Sequence, residues 1–216
     1  MRYTRCKILF GSDFEKIQKA KILLLGVGGV GSFCLDAMYR TGITDITIVD
    51  YDRFDITNQN RQIGSENVGE LKVEVHAKMY PSVTPIVQKI DPKWVEEFDF
   101  EPYDLVIDAI DDVDAKVAIM KKTYKKLISS MGSAKKTDPT KIEISDIWKT
   151  HGDKFARKIK DRLKKERFNK KIKVVFSTEH AKCIEKGSFC GVTGAFGLTL
   201  CSLAIDILTK EKSEAV

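Results

Sequence analysis

One glycine-rich turn constrains this chain more than any other feature. Gly26-Val27-Gly28-Gly29-Val30-Gly31 follows an apolar run at 21–25, and a second, β-branched run at 46–49 closes on Asp50. One helix length separates the two runs, which describes a βαβ unit with parallel strands and a right-handed crossover. Glycine permits the tight turn and lets backbone N–H groups approach a phosphate at the positive end of the helix that follows. Asp50 lies 19 residues beyond Gly31. A carboxylate there can accept hydrogen bonds from ribose hydroxyls. Gly26, Gly28, Gly29, Gly31 and Asp50 are therefore candidate nucleotide-binding residues. Taken alone, this set favours NAD or FAD, the commoner use of the pattern.

The rest of the chain repeats the alternation. Residues 105–107 form a third apolar run suited to a central parallel strand, with weaker strand candidates at 86–90 and 127–130. Helical patterns cover 71–79, ahead of Pro81, and 115–126. Such alternation predicts a Rossmann-type, doubly wound, mostly parallel α/β sheet. Segments 142–147 and 174–177 alternate apolar and polar residues and predict a small antiparallel C-terminal extension. With 216 residues the expectation is a single domain, 1–216.

Charge is distributed unevenly. The chain carries a net charge of +6, yet residues 149–173 hold twelve Lys and Arg against three acids. Phe155, Ile159 and Leu163 recur there at helical spacing, so one face can pack while the rest stays basic. Lys158, Arg162 and Lys165 are the candidate contacts to a phosphate-rich partner. Five cysteines without a C-x-x-C pair support neither a disulfide framework nor a four-cysteine zinc site. The N-terminus lacks a continuous apolar segment of signal-peptide length, so a cytoplasmic protein is expected. Residues 189–205 are uncharged and mostly apolar, but short for a bilayer span, and predict a buried helix without membrane association.

A further group of polar residues decides among nucleotides. It comprises Asp50-Tyr51-Asp52, Thr57-Asn58-Gln59-Asn60-Arg61-Gln62, Lys72 and Asp108-Ala109-Ile110-Asp111-Asp112. Hydride transfer relies on the cofactor's own chemistry and has no need of such a cluster. ATP does: Arg and Lys neutralise the triphosphate and the leaving pyrophosphate, and a carboxylate holds Mg2+. An NAD-dependent oxidoreductase, or a nucleotide binder without catalysis, leaves Arg61, Lys72 and Asp111 without a joint purpose.

With these motifs the sequence resembles the ubiquitin-activating-enzyme-like family, whose members form adenylates. The resemblance implies roles residue by residue: Asp50 for the ribose, Asn58 and Arg61 for phosphates, Lys72 for the triphosphate and Asp111 for magnesium, with Asp52 also in the nucleotide site. Arg2-Tyr3-Thr4-Arg5 is similar to the family's N-terminal motif, which implies a homodimer in which Arg5 reaches the ATP of the partner subunit. Arg5, Arg61, Lys72 and Asp111 are the implied catalytic set.

Later segments narrow the resemblance. Lys149-Thr150 before the basic helix, Val175-Phe176-Ser177-Thr178-Glu179 and Gly194-Ala195-Phe196-Gly197 look like the branch that cyclises threonylcarbamoyladenosine in transfer RNA. This implies ATP-dependent dehydration through an acyl-adenylate, with transfer RNA and not DNA as partner. Intramolecular attack needs no enzyme thiol, which suits a chain without an obvious catalytic cysteine. The family's other activity, adenylating the C-terminal glycine of a ubiquitin-like sulfur carrier, keeps a carrier-protein or sulfur-transfer partner open. The chain departs from the branch at 180–186, where relatives carry a longer, cysteine-containing insertion.

Overall fold

A computed structural model describes residues 2–210 of the chain. Two short helices come first, α1 (Thr4–Phe10) and α2 (Phe14–Lys19). The alternating part then runs β1 (Lys21–Leu25), α3 (Gly31–Thr41), β2 (Asp45–Asp50), α4 (Lys72–Met79), β3 (Val83–Val87), α5 (Pro92–Glu97), β4 (Leu105–Asp108), α6 (Val113–Thr123) and β5 (Leu127–Ser130). It closes with β6 (Ile142–Asp146), α7 (Lys154–Lys165), β7 (Lys173–Ser177) and α8 (Cys190–Thr209).

All seven strands join one sheet in the order β3-β2-β1-β4-β5-β7-β6. Only β6 is antiparallel, pairing with β7 at the edge. The expected antiparallel pairing of the two C-terminal segments is present, and β7 also pairs parallel with β5, which joins the extension to the main sheet. The third strand lies at Val83–Val87 and not at 86–90. It is an edge strand, mostly exposed, with Pro85 inside it, and an edge tolerates the missing donor.

The apolar run of β1 reads continuously because both of its faces are buried. Ile22 and Leu24 pack into a core with Cys34, Leu35 and Met38 of α3 and Phe196 and Leu200 of α8. Leu23 and Leu25 face the opposite core, with Val106, Ile119 and Met120, and with Ile159 and Leu163 of the basic helix. Burying an aliphatic side chain this completely contributes roughly 1.5–3 kcal/mol each, so the core-facing stripe anchors α7 and leaves its charges outward. Helix α8 is long and apolar enough to cross a bilayer, and 56% of its apolar window is buried within the fold.

The order of strands reverses between β1 and β4: β2 and β3 lie to one side, β4 and β5 to the other. In an open α/β sheet, ligands bind beyond the carboxyl ends of the strands at that point. Those ends here carry the glycine turn, Asp108 to Asp112, and the residues after Ser130.

Candidate functional site

A cleft of about 1410 Å3 opens at that switch point. Small-molecule sites commonly measure about 300–1,000 Å3, so there is room for more than one ligand. One half is lined by Gly26, Gly28, Gly29, Asp50, Asp52, Asn58, Arg61 and Lys72. The other is formed by Gly132 to Lys136, Gly152 to Phe155 and parts of 179–188. Asp111 faces the same opening.

The glycine turn is fixed by sterics. Gly26 adopts φ +86°, and a methyl group on Gly31 would lie 1.9 Å from the Gly26 carbonyl oxygen. Gly31 is buried beneath the turn and does not line the cleft, so its place is in the shape of the loop. Asp50 completes the turn: its carboxylate accepts from the Val27 N–H at 2.9 Å and the Asp52 N–H at 2.9 Å. Burial pushes its carboxyl above the ordinary aspartate value, while the two N–H donors pull the other way.

Asn58 closes a capping box with Asp55 and is buried at the cleft wall. The stem of Arg61 lies over Gly29, and its guanidinium donates to the Thr57 carbonyl and to Asn60 Oδ1, both at 2.8 Å. Lys72 opens α4 with its side chain 6% exposed, and its ammonium donates to Asp52 at 2.9 Å. Asp112 caps α6 by accepting from the Ala115 N–H, which makes it a helix-opening residue. Asp111, beside it, is exposed and paired with Lys186 at 2.8 Å. The Lys186 ammonium holds the Asp111 carboxyl below its ordinary value against some desolvation.

Two buried lysines of the site, Lys116 and Lys136, carry no signal in the sequence. Lys116 and Asp108 are fully buried, 2.6 Å apart. Lys116 also donates to Ser129 Oγ and the Ser130 carbonyl, and the other oxygen of Asp108 accepts from the Ile110 N–H. Desolvation pushes the Lys116 ammonium down, and Asp108 counters it. This network ties the ends of β4 and β5 together beneath the cleft. Lys136 donates to the Gly132 carbonyl and to Asp153 at 3.1 Å, and Asp153 also caps α7 through the Phe155 and Ala156 N–H groups. The buried carboxylate of Glu179 accepts from the N–H groups of Thr137 and Asp138. Desolvation raises its carboxyl, but these N–H donors and Lys182 outweigh it and leave it below the ordinary glutamate value. A solvated lysine in sequence looks the same as Lys116 or Lys136; only the topology distinguishes them. Gln62, quoted within the polar motif, lines the cleft with a buried Oε1 that has no hydrogen-bond partner among the described residues.

Arg5 lies on α1, exposed, and does not line the cleft of its own chain. On the basic helix Lys158 and Lys165 are exposed, whereas Arg162 is paired with Asp114 at 2.9 Å and Glu166 at 3.1 Å. All five cysteines are free thiols: Cys34 and Cys201 are buried, as structural thiols should be, while Cys183 is exposed on the lip of the cleft.

The ThiF family pattern matches residues 3–216. The chain belongs to the ThiF family. It is 39% identical over 191 residues to tRNA threonylcarbamoyladenosine dehydratase of Bacillus subtilis, covering 82% of this chain and 75% of that one. Against the enzyme of that name from Haemophilus influenzae it is 32% identical, covering 93% of this chain and 90% of the other. The crystal structure of the Escherichia coli tRNA N6-threonylcarbamoyladenosine dehydratase with AMP superposes with a TM-score of 0.91 at 33% identity, covering 96% and 93% of the two chains. The same enzyme with ATP gives a TM-score of 0.90.

Proposed function

We propose that this ThiF-family protein is an ATP-dependent tRNA threonylcarbamoyladenosine dehydratase. The threonyl carboxylate attacks the α-phosphate of ATP and releases pyrophosphate. The neighbouring ureido group then attacks the activated acyl carbon and releases AMP, so the nucleoside loses one water as a ring closes. Ring closure within one molecule gains from proximity and requires no enzyme nucleophile. The observation that carries this reading is the joint cleft: a phosphate-binding turn with Arg61 and Lys72 shares one opening with the first residues of the basic helix. Incubation of the pure protein with ATP and threonylcarbamoylated transfer RNA, followed by nucleoside mass spectrometry, should show the dehydrated nucleoside. An unchanged nucleoside, with ATP consumed only when a sulfur-carrier protein is added, would overturn it.

The residues present fit the ligands. The turn and Arg61 offer donors to phosphate, Asp50 keeps free lone pairs for a ribose, and the unpartnered Gln62 Oε1 offers an acceptor at the wall. Magnesium usually keeps one or two protein carboxylates and takes its other ligands from substrate phosphates and water. Asp111 is the residue that would hold it, and the ion there would neutralise charge on the leaving pyrophosphate.

We further assign the working form as a cytoplasmic homodimer with Arg5 acting on the partner subunit's nucleotide. Helix α1 buries none of its residues, and Ile8 and Leu9 are 79% and 76% exposed beside Arg5, a surface suited to a second chain. Mixing an Arg5→Ala chain with an Asp111→Asn chain should restore activity that neither has alone. A verified heterodimer that stays inactive removes Arg5 from that role.

A further inference from the structure

The segment at 179–189, which joins β7 to α8, lies across the mouth of the cleft. Its first residue, Glu179, is fixed to the Thr137 and Asp138 N–H groups. Beyond it the backbone bonds twice with Lys135: the Lys182 N–H donates to the Lys135 carbonyl at 2.9 Å, and the Lys135 N–H donates to the Gly187 carbonyl at 2.9 Å. On the nucleotide side, Asn60 donates to the Ser188 carbonyl at 3.1 Å while its own oxygen accepts from Arg61. The segment is thus a strap tied to both lips, and its side-chain contact with Asp111 is made by Lys186.

We propose that Lys186 is a phosphate-binding residue of the adenylation step, held on Asp111 until nucleotide and metal arrive. The inference rests on reading this cleft as an ATP site. Three observations carry it. The side chains of Lys186 and Asp111 are 76% and 82% exposed, so their ion pair adds little to the stability of the fold and exchanges readily. Asp111 would hold magnesium through the same carboxylate that now accepts from Lys186, and sharing it with a hard divalent cation would free the ammonium. Two other lysines that line the cleft, Lys72 on Asp52 and Lys136 on Asp153, have ammonium groups nearly buried, so Lys186 adds to Lys72 a cation that is free to move. Lys186 is a cation on a flexible four-carbon stem, anchored by the strap within the opening that Arg61 and Asp111 share. Once displaced, it turns to the polyphosphate. The chain's short connection at 180–186 thereby places a positive charge where the leaving pyrophosphate develops negative charge.

Calorimetry with Lys186→Met, using ATP with magnesium and, separately, AMP, tests this without RNA. The expected result is ATP affinity about tenfold weaker, the effect of one lost charge-assisted hydrogen bond, with AMP affinity unchanged because AMP lacks the β- and γ-phosphates. Lys186→Arg should recover most of the ATP affinity. Equal weakening of ATP and AMP would overturn the proposal, since the lysine would then only shape the cleft. So would unchanged ATP affinity, or tighter ATP binding at lower magnesium, which would make Lys186 a mere competitor for Asp111. If the unaltered protein itself fails to bind ATP, the nucleotide reading falls and this proposal with it, a result the lysine variant alone cannot produce.

Discussion

Helix α4 holds a buried histidine whose protonation should destabilise the protein by a calculable amount. His76 is fully buried, stacked on Tyr80 with ring centroids 6.1 Å apart and set edge-on to Phe54 at 6.0 Å. Among the described residues neither ring nitrogen has a hydrogen-bond partner; the backbone of Val27 faces the ring but does not close one. Burial pushes the imidazole from 6.5 down to about 4, and the Lys72 ammonium pushes the same way. The folded protein therefore keeps His76 neutral in a range where the unfolded chain takes up a proton. Stability is complete above pH 6.5, falls as the pH drops toward 4, and levels off for this group below that value.

Each tenfold drop in proton affinity on folding corresponds to about 1.4 kcal/mol, so the full loss is roughly 3 kcal/mol, a large part of a typical 5–15 kcal/mol total. The assay is urea unfolding between pH 7 and pH 4.5 for the parent and for His76→Leu, which fills the space without a titrating group. The parent should lose stability relative to the variant steadily as pH falls, since only the parent pays for the buried imidazole. The other two histidines, His151 and His180, are exposed, and an NMR titration follows the buried His76 signal directly. Equal pH slopes for parent and variant, or a His76 signal titrating near 6.5, would refute the reasoning. Because α4 begins with Lys72, acid loosening there should also weaken nucleotide binding before global unfolding.

Gly31→Ala should abolish nucleotide binding with a folded core, because its methyl group would collide with the Gly26 carbonyl and displace the turn; retained ATP affinity by calorimetry would show that the turn adapts. Lys116→Met should cost roughly 3–5 kcal/mol in urea unfolding by leaving Asp108 buried without its partner, and adding Asp108→Leu should recover part of the loss. Lys158→Ala with Lys165→Ala should weaken transfer RNA binding alike across sequences and flatten its salt dependence, whereas adding Arg162→Ala should change little more, since its charge is already matched by Asp114 and Glu166. An unaltered salt slope in the double variant would reduce α7 to a solvated face.

The sequence made the central strands legible because β1, β2 and β4 are buried on both faces and read as apolar runs. Where burial is partial the signal fades: β3 is an exposed edge strand interrupted by Pro85, and its pattern points three residues too late. Helix α1 has no buried residue and therefore no hydrophobic period, and α5 is a six-residue helix whose clearest marks are Pro92 and the Asp91 cap. In the site, the glycine turn, Asp50, Arg61, Lys72 and Asp111 could be named because their residue types and spacing are themselves chemical. Lys116, Lys136 and Lys186 could not, since each acts through a carboxylate distant in sequence, 8, 17 and 75 positions away.

Those distant pairs explain how two ligand surfaces share one cleft. Asp153 gives one oxygen to the Phe155 and Ala156 N–H groups at the start of α7 and the other to Gly132 N–H and Lys136. Its side chain is 2% exposed, so losing Lys136 would leave a charge buried without its counter-ion, at a cost of several kcal/mol. The basic helix and the loop after β5 therefore move together or not at all. The Lys116–Asp108 network fixes that loop in turn to the strand that leads into Asp111. An RNA held by Lys158 and Lys165 of α7 would consequently sit in fixed register with the residues proposed to hold the nucleotide, and ring closure through an adenylate would depend on that alignment, because a misplacement of about 1 Å can lower a rate by orders of magnitude.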